Sequence, residues 1–370
     1  MKRREFIEKT GLVALSATAI SACGSESGNA TPDAKTEGCE PAKPIKWSMV
    51  TTWPKNFPVL GTGAEFLAEQ INAMSGGRLQ VSVYAAGEKV PALEVFDFVS
   101  KGGAEMGHGS AYYWKGKSKT FQFFSTVPFG MNQLEMDAWI RHGGGQALWD
   151  EAYQPFGVQS FPAGNTTVQM AGWFNKEVNT LEDLKGLKMR IPGLGGEVMR
   201  RVGVEAQNIP GGDLYTAMDS GRIDATEWVG PYNDLAFGFH KIGKYYYYPG
   251  WHEPGTILEG LVNKDAFAAL PTDLQAIVKA ACTVANAHMA TEFMAKNNEA
   301  LKVLVEEHGV ELRRLPEDVL SELKSISEEV VRELAEQDAF STKVYESYRQ
   351  FHNNAKAWSD VSERAYLNIR

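Results

Sequence analysis

The chain has 370 residues and a formal net charge of −9, and its contents of 44% hydrophobic and 22% charged residues are ordinary for a globular protein. The acidic balance, which no cluster of lysines or arginines offsets, argues against a nucleic-acid partner. Three cysteines are too few for a disulfide framework, and the sequence shows neither zinc-ligand spacing nor a phosphate-binding glycine loop.

Residues 1–23 are predicted to be an export signal with a lipobox. They combine a charged start with an apolar run that is too short to span a bilayer. Arg3-Arg4 resembles the motif of twin-arginine signals, which export folded proteins. Ile20-Ser21-Ala22-Cys23 resembles a bacterial lipobox, so cleavage would leave a lipid-bearing Cys23 that anchors the protein to a membrane face in the periplasm. The alternative is an ordinary cleaved signal in which Cys23 is incidental.

Residues 24–44 are predicted to be a disordered tether, because small and polar residues dominate them and they can bury almost nothing. Cys39 lies in this tether, whereas Cys282 lies in a helical pattern. A disulfide between them is an option in an oxidising compartment, but two unrelated thiols are the favoured interpretation. Past the signal, no stretch is long and apolar enough to cross a membrane.

The first folded segment has the β-α-β-α-β pattern of an α/β lobe with a mostly parallel sheet. Strand patterns cover residues 45–52, 79–84 and 104–107, and helical patterns cover residues 63–74 and 92–100. In such sheets, ligands lie beyond the carboxyl ends of the strands. The third strand runs into Tyr112-Tyr113-Trp114, so this aromatic cluster is predicted to lie where a ligand is met.

A second α/β lobe is predicted to be inserted between parts of the first. A helical pair over residues 134–154 and a strand over residues 158–161 precede it. Its strand patterns cover residues 168–174, 187–191 and 223–229, and its helical patterns cover residues 196–202 and 213–220. A strand over residues 257–263 is predicted to return to the first lobe.

The rest of the chain is predicted to be helical. The helical pattern that starts at Pro271 continues almost to Val305, and a clean apolar stripe marks another helix over residues 319–334. The last forty residues also have a helical pattern and carry several aromatic side chains. The predicted domains are lobe I at residues 45–165 and 256–300, lobe II at residues 166–255 and 301–330, and a C-terminal helical segment at residues 331–370.

Several motifs carry a family resemblance in addition to Arg3-Arg4. They are Gly164-Asn165-Thr166, Val168-Gln169-Met170, Leu187-Lys188-Met189-Arg190, Gly221-Arg222-Ile223-Asp224-Ala225-Thr226-Glu227, Trp228-Val229-Gly230-Pro231-Tyr232 and Tyr246-Tyr247-Tyr248-Pro249-Gly250-Trp251. With the two interleaved lobes, they resemble the extracytoplasmic solute-binding proteins of TRAP transporters (the DctP type). The resemblance covers essentially the whole mature chain and is closest to the 2-oxo-acid-binding TakP subgroup.

The resemblance implies an α/β, two-lobe periplasmic-binding-protein fold with interleaved lobes and long C-terminal helices. The cleft of such a protein closes on a solute and delivers it to a TRAP permease in the membrane, which an ion gradient drives. The 2-oxo-acid subgroup implies a metal ion beside the ligand. It also implies a homodimer that is swapped through a long C-terminal helix, which assigns dimerisation to residues 331–370.

Arg190 is predicted to bind the carboxylate of the ligand. It follows an apolar strand, where a guanidinium is costly unless an anion meets it, and its planar fork matches a carboxylate bidentately. The alternative is a structural ion pair with an internal Asp or Glu. The position at the end of a strand and the family motif both favour the ligand.

Four residues are predicted to hold the metal through oxygen atoms. Glu227 supplies a carboxylate, Trp228 its backbone carbonyl, Gln169 an amide oxygen and Glu253 a second carboxylate. Oxygen ligands favour sodium, calcium or magnesium over zinc. For Glu227 and Glu253, the alternative is an ordinary carboxylate at the surface or on a loop.

The charge of this site does not decide the ion. Two carboxylates, one guanidinium and a monocarboxylate ligand leave two uncompensated negative charges, and a buried net charge is costly. That balance favours calcium, whereas the 2-oxo-acid subgroup suggests sodium, and sodium is also favoured if Glu253 does not reach the site. The predicted cofactor is therefore sodium or calcium.

Other polar residues have less specific predictions. Tyr112 or Tyr113 is expected to donate its hydroxyl to the ligand, with one of them facing the cleft and the other the core. Asn165 is interpreted either as a hydrogen-bond donor to the ligand or as a turn residue. His108 is interpreted as a structural histidine, and the role of His252 is left open.

The predicted function is the capture of a small monocarboxylic 2-oxo acid, such as pyruvate, with a metal ion by a TRAP solute-binding protein that is not an enzyme. The first alternative is a metal-dependent periplasmic enzyme acting on oxo-acids, although no candidate nucleophile or paired His and carboxylate has a motif's spacing. The second is a binding protein for 2-hydroxy or aromatic acids that serves a sensor. The sequence leaves the identity of the acid open, because the depth of the pocket decides it.

Overall fold

The computed structural model describes residues 43–370. The predicted export signal, Cys23 and nearly all of the tether, including Cys39, lie outside the described residues. The strands are β1 (Ile45–Thr51), β2 (Leu79–Tyr84), β3 (Met106–Gly109), β4 (Val158–Asn165), β5 (Gly172–Phe174), β6 (Lys188–Arg190), β7 (Glu205–Gln207), β8 (Ala225–Thr226), β9 (Tyr245–Tyr248), β10 (Ile257–Asn263) and β11 (Glu311–Arg314).

The first sheet has five strands in the order β2-β1-β3-β10-β4. β1 pairs in parallel with β2 and β3, whereas β10 lies antiparallel between β3 and β4. Nearly every residue of β10 is buried, which is typical of a strand that is covered on both faces. The three strands of the first segment are thus parallel, as predicted, and the returning strand β10 makes the whole sheet mixed because it enters in the opposite direction.

The second sheet has six short strands in the order β11-β9-β5-β8-β6-β7. β8, β6 and β7 pair in parallel, and β5 lies antiparallel between β9 and β8. The chain passes between the two sheets at residues 165–172, 248–257 and 263–311. This exchange is the interleaved two-lobe α/β fold that the sequence predicts.

The α-helices cover the sheets and make up most of the C-terminal third. They are α1 (Leu60–Met74), α2 (Val95–Ser100), α3 (Gln133–His142), α4 (Gly145–Tyr153), α5 (Gly193–Arg201), α6 (Leu214–Asp219), α7 (Pro231–Phe237), α8 (Lys264–Ala268), α9 (Thr272–Lys302), α10 (Glu317–Ala335), α11 (Ala339–Val361) and α12 (Glu363–Leu367). Between residues 43 and 370, none of the helices has both the length and the apolar character that crossing a bilayer requires.

The long helices connect the two halves of the fold. α9 packs against α1 and β4 of the first half and against α7 of the second, and a π-helical turn at Val303–Glu307 follows it. α10 packs against α5, and α11 packs against α3 and α4. The predicted boundaries after residues 300 and 330 fall inside α9 and α10, so continuous helices cross both positions.

Two predicted strands of the second half are shorter in the structure. The pattern at residues 168–174 yields only β5, because Thr167 has a φ of 59° and the next backbone N–H groups bond outside a ladder. The Gln169 N–H donates to the Glu253 carbonyl (3.1 Å), and the Met170 N–H donates to the Val229 carbonyl (2.9 Å). The pattern at residues 223–229 yields only β8, since α7 begins at Pro231, a residue that suits a first helical turn.

Candidate binding and metal site

Two parallel strands of the second sheet carry charged residues to the same edge. Arg190 is the last residue of β6, and Glu227 directly follows the last residue of β8, which pairs with Arg190. Because the carboxyl ends of parallel strands meet at one edge of a sheet, these two side chains lie side by side. Both are fully buried, with 1% and 0% of their side chains exposed.

The Arg190 guanidinium is held by backbone and carboxylate oxygens. Its Nε donates to the Ile209 carbonyl (3.2 Å), and its Nη1 donates to the Glu227 carbonyl (3.0 Å) and to the Glu227 carboxylate. The guanidinium carbon lies 4.9 Å from the centre of the Trp228 ring. The ion pair with an internal acid that was the alternative for Arg190 is therefore present. No hydrogen bond among the described residues uses Nη2, so one arm of the fork has no protein acceptor.

The charges around Arg190 keep it ionised. Burial acts to lower its pKa, but the Glu227 carboxylate and the nearby Tyr113, Tyr112 and Glu253 outweigh that effect and raise the pKa above its ordinary value. A buried, charged guanidinium whose Nη2 has no protein acceptor can donate to an anion in addition to Glu227.

A loop after β9 brings a second acid to the same place. Glu227, His252 and Glu253 can each offer a ligand atom, and these atoms lie within 4.8 Å of one another. The loop is attached at Gln169, whose backbone N–H donates to the Glu253 carbonyl (3.1 Å) and whose side-chain Nε2 donates to Glu253 Oε2 (2.6 Å). Thr256 Oγ1 also donates to Glu253 Oε2 (2.6 Å).

Two buried carboxylates this close disfavour each other's charge. Burial, and after it the Glu227 carboxylate, raises the pKa of Glu253 to about 7. A cation between the two acids would offset the cost of burying their charges and also the repulsion between them, because its positive charge compensates both carboxylates.

The atoms of the cluster fit a hard cation. The donors are the carboxylates of Glu227 and Glu253 and the amide oxygen of Gln169, and such oxygens suit sodium, calcium or magnesium. Gln169 Oε1 is buried and has no hydrogen-bond partner among residues 43–370, although its Nε2 has two. An orphaned buried acceptor next to two carboxylates is what a cation site requires before the ion binds.

Aromatic residues from both halves of the fold form the wall beside this cluster. A cavity of about 10 Å³ is lined by Trp53, Leu60, Tyr112, Tyr113, Thr166, Trp228, Val229 and Leu258. Tyr112 and Tyr113 both line it, instead of one facing the cleft and the other the core. That volume holds about one water molecule. Any solute larger than a water molecule therefore needs the walls to move apart before it can enter.

Both tyrosines keep their hydroxyl protons. Burial, followed by the negative charge of Glu253, raises the pKa of Tyr112 well above its ordinary value, and burial also raises the pKa of Tyr113. A neutral phenol in this position can donate a hydrogen bond to an incoming anion.

Asn165 has the geometry of a turn residue. Its side-chain oxygen accepts a hydrogen bond from the Thr167 N–H (2.8 Å), and its Nδ2 contacts the Gly255 carbonyl at 3.5 Å. These contacts connect the end of β4 to the loop that carries Glu253. The structure therefore agrees with the interpretation of Asn165 as a turn residue.

The two buried histidines differ. His108 accepts a hydrogen bond from Trp53 Nε1 (2.7 Å) and lies 3.2 Å from the Ala163 carbonyl, and burial lowers its pKa to about 4, as expected of a structural histidine. His252 belongs to the acidic cluster, and the sequence did not assign it there. The available signal was its position between Glu253 and the family motif that ends at Trp251.

The two sheets with one buried, charged cluster and an aromatic cavity between the halves define a solute-binding protein of the two-lobe periplasmic type. The chain belongs to the bacterial extracellular solute-binding protein family 7 (DctP), whose profile matches residues 49–338. The resemblance that the sequence motifs carry is therefore confirmed.

Relatives with defined ligands are similar over nearly their whole length. The chain is 43% identical to the monocarboxylate 2-oxoacid-binding periplasmic protein all3028 of Nostoc sp., over 100% of this chain and 99% of that protein. A TRAP periplasmic solute-binding protein from Pseudoalteromonas atlantica, with bound sodium and pyruvate, is 44% identical with a TM-score of 0.86, over 88% of this chain and 99% of that one. One from Colwellia psychrerythraea, with bound calcium and pyruvate, is 43% identical with a TM-score of 0.86, over 89% and 100%.

Proposed function

We propose that this chain is the solute-binding protein of a TRAP transporter. It captures a small monocarboxylic 2-oxo acid such as pyruvate together with a metal ion, and it delivers the acid to the membrane permease. One observation carries the proposal: a buried guanidinium with an unused arm lies beside two buried carboxylates and an orphaned amide oxygen. An organic anion and a hard cation together would satisfy all of these groups.

The residues divide into two sets. Arg190 would bind the carboxylate of the acid, with Tyr112 and Tyr113 as hydroxyl donors and the face of Trp228 as an apolar wall. Glu227, Glu253, the amide oxygen of Gln169 and the backbone carbonyl of Trp228 would hold the metal. When bound, the metal supplies positive charge that attracts the electron-rich oxygens of the acid. Asn165 would support the loop from outside, through its turn.

The charge of the site supports a role for the cation. Glu253 reaches the cluster, so two carboxylates, one guanidinium and the carboxylate of the acid leave two negative charges to neutralise. Calcium would neutralise both, and sodium would neutralise one of them. The related proteins bind pyruvate with either ion, so we propose that this chain accepts both and binds the acid more tightly with calcium.

Family membership favours binding without turnover over a metal-dependent enzyme, because the family consists of solute-binding proteins. Calorimetric titration of pyruvate into the purified chain, with sodium, with calcium and with a chelator, tests the proposal. We expect binding that depends on the metal and leaves pyruvate chemically unchanged. No heat with any 2-oxo or 2-hydroxy acid would overturn the ligand assignment, and consumption of the acid would establish an enzyme.

We further propose twin-arginine export through Arg3-Arg4 and lipid attachment at Cys23, with a periplasmic protein held at the membrane as the result. The sequence from residue 1 to residue 23 supports this, as does the extracellular nature of the family. Metabolic labelling with palmitate tests it. The label should enter the native chain and be lost in Cys23→Ser, and an unlabelled native chain would contradict lipid attachment.

We also propose a homodimer formed through the C-terminal helices. Large apolar side chains at the end of the chain are exposed, namely Trp358 (66%), Val361 (73%), Tyr366 (62%), Leu367 (50%) and Ile369 (82%). A groove of about 570 Å³ lies between α10, α11 and the segment at Val127–Gly130, and Val331 and Tyr345 contribute apolar surface to it. A second copy of the chain, with its C-terminal helix in this groove, would cover both surfaces.

Deletion of the last thirty or so residues should convert the dimer into a monomer or an aggregate, as measured by light scattering. The double substitution of Trp358→Ala with Tyr366→Ala is the milder variant and should raise the dimer dissociation constant about tenfold or more. Met294→Ala, at a side chain 71% exposed on α9, is the matched control and should leave the dimer unchanged. A native chain that is monomeric at micromolar concentration would contradict the proposal.

A further inference from the structure

His252 has no role in the ligand and metal sets described above, yet it lies inside the acidic cluster. Its side chain is 1% exposed, and its Nε2 lies 3.2 Å from Glu227 Oε2. The other oxygen of the same carboxylate, Oε1, accepts the hydrogen bond from Arg190. Glu227 is therefore held at both oxygens, by Arg190 on one side and by His252 on the other.

The imidazole itself is closely packed. A Cβ atom added to Gly195 of α5 would come within 2.9 Å of the His252 Cβ, so only glycine at that position leaves room for the histidine. The Trp251 ring lies edge-on to the imidazole, with the ring centres 5.5 Å apart. A side chain fixed in this way can fix the orientation of whatever it binds.

The direction of the hydrogen bond follows from its acceptor. The Glu227 carboxylate can only accept, so Nε2 carries the proton. Nδ1 is buried and has no hydrogen-bond partner among the described residues. The contact that His252 makes with the site is thus a single donated hydrogen bond to a carboxylate that is a candidate metal ligand.

We propose that His252 is the positioning residue of the metal site and that it acts by holding the Glu227 carboxylate in the orientation that the cation requires. Without the Nε2 hydrogen bond, the carboxylate would be free to rotate onto the Arg190 guanidinium and to pair with it through both oxygens, as such pairs prefer. With the bond, the carboxylate keeps Oε2 turned toward His252 and away from Arg190, inside the cluster whose ligand atoms lie within 4.8 Å of one another. Outer partners of this kind typically change metal affinity by about 10-fold to 100-fold.

The inference rests on the proposed function, because it assumes that the cluster binds a cation. It is tested with two amides of different length. In His252→Gln the side-chain nitrogen reaches about as far as Nε2 and can still donate to Glu227, whereas in His252→Asn it reaches only about as far as Nδ1. His252→Ala removes both nitrogens. Calcium is titrated calorimetrically into each purified full chain in the presence of excess pyruvate, and thermal unfolding without metal is measured alongside.

We expect calcium affinity to fall about tenfold or more in His252→Ala and His252→Asn and to stay within about threefold of the native value in His252→Gln. The unfolding temperatures without metal should not rank the variants in the same order as their calcium affinities, since the Gln and Asn side chains both fill part of the space of the imidazole. The inference is overturned if Gln and Asn weaken calcium equally, as a purely structural histidine would predict. It is also overturned if Asn retains affinity and Gln does not, which would make Nδ1 a direct ligand. If the native chain binds no calcium or sodium at all, the proposed function fails first and the inference fails with it.

Discussion

Two buried acidic clusters in this molecule differ in how their oxygens are satisfied. Glu259, in the middle of β10, accepts hydrogen bonds from Trp114 Nε1 (2.5 Å), Tyr153 Oη (3.0 Å) and the Ser160 hydroxyl. All of these donors are neutral, and the network is closed. Glu227 and Glu253 lie with a guanidinium, an imidazole and an amide. Three polar atoms of that group, Arg190 Nη2, Gln169 Oε1 and His252 Nδ1, have no hydrogen-bond partner among residues 43–370.

The difference between the two clusters lies in their hydrogen bonds and not in their burial. Both clusters are inaccessible, and burial raises the pKa of Glu253 and of Glu259 to about 7. Neither burial nor a raised pKa therefore separates them. What separates these two clusters is the open hydrogen-bonding capacity beside the charged groups of the first, which a ligand and a cation would satisfy.

The largest expected effect is that of Arg190→Ala. Loss of the charged fork should weaken pyruvate binding about 100-fold or more, because two charge-assisted hydrogen bonds disappear. It should also destabilise the protein by about 3–5 kcal/mol, since Glu227 would be left as an uncompensated buried charge. Calorimetry measures the first effect, and urea unfolding measures the second.

The double variant with Arg190→Ala and Glu227→Gln is the control for that experiment. It removes both charges of the pair, so most of the lost free energy of unfolding should return while pyruvate binding stays lost. If Arg190→Ala binds pyruvate with native affinity, Arg190 is not the residue that binds the carboxylate of the acid.

A matched pair of glutamates tests the comparison directly. Glu253→Gln should weaken calcium binding about 10-fold to 100-fold with little loss of stability, because it removes one of two adjacent buried charges. Glu259→Gln should leave calcium binding unchanged and lower the free energy of unfolding by about 1–3 kcal/mol, since its amide N–H groups face donors. If Glu259→Gln loses calcium binding, or if Glu253→Gln keeps it, the assignment of Glu253 as the metal ligand and Glu259 as the structural acid is wrong.

Glu259 should also make stability depend on pH. Burial raises its pKa from 4.5 to about 7 in the folded state. The folded chain therefore binds more protons than the unfolded chain between these values, and stability is lost as the pH rises. Between pH 6 and pH 8, the loss should be on the order of 1 kcal/mol. Unfolding curves of the native chain and of Glu259→Gln at several pH values measure it, and equal slopes would contradict the assignment.

The smallest effect concerns an ion pair between the two halves of the fold. Lys115 follows the turn at Ala111–Trp114, which carries both tyrosines, and its Nζ lies 2.8 Å from Glu197 Oε1 on α5. The pair joins the first half of the fold to the second and is partly exposed, so Lys115→Met should weaken pyruvate binding only about twofold to fivefold. The effect should shrink at high salt.

Lys55→Met is the control for this ion pair. Lys55 forms an ion pair of 3.0 Å with Glu88 within the first half, so its loss should not alter pyruvate binding. Equal effects of the two lysine substitutions would show that the ion pair between the halves contributes nothing of its own to pyruvate binding.

The sequence predicted much of the fold because its periodic segments are long. The strand at residues 257–263 and the helices around residues 63–74 and 319–334 lie where their patterns place them, within three residues at each end. The order of the strands in the sheets could not be predicted from these patterns. β10 enters the first sheet between β3 and β4 in the opposite direction, and no local pattern within Ile257–Asn263 encodes its neighbours.

The candidate site was predicted in its composition but not in its connections. Arg190, Glu227, Glu253 and Gln169 do lie together, because strand ends and family motifs are visible in sequence. The pairing of Arg190 with Glu227 follows from the register of β6 against β8, a relation between strands 37 residues apart in the chain. His252 was missed because a single histidine on a loop has no periodicity that would reveal its neighbours.

The 31-residue helix α9 has a mechanical consequence. At 1.5 Å per residue it is about 46 Å long, and it packs against elements of both halves of the fold. Such a rod is stiff, so a tilt of about 5° at one end moves the other end by about 4 Å. The π-helical turn at Val303–Glu307 lies at the end of this lever, just before the chain enters the second sheet at β11. A small rotation of α9 where it packs against the first half would thus become a larger displacement where the chain enters the second half.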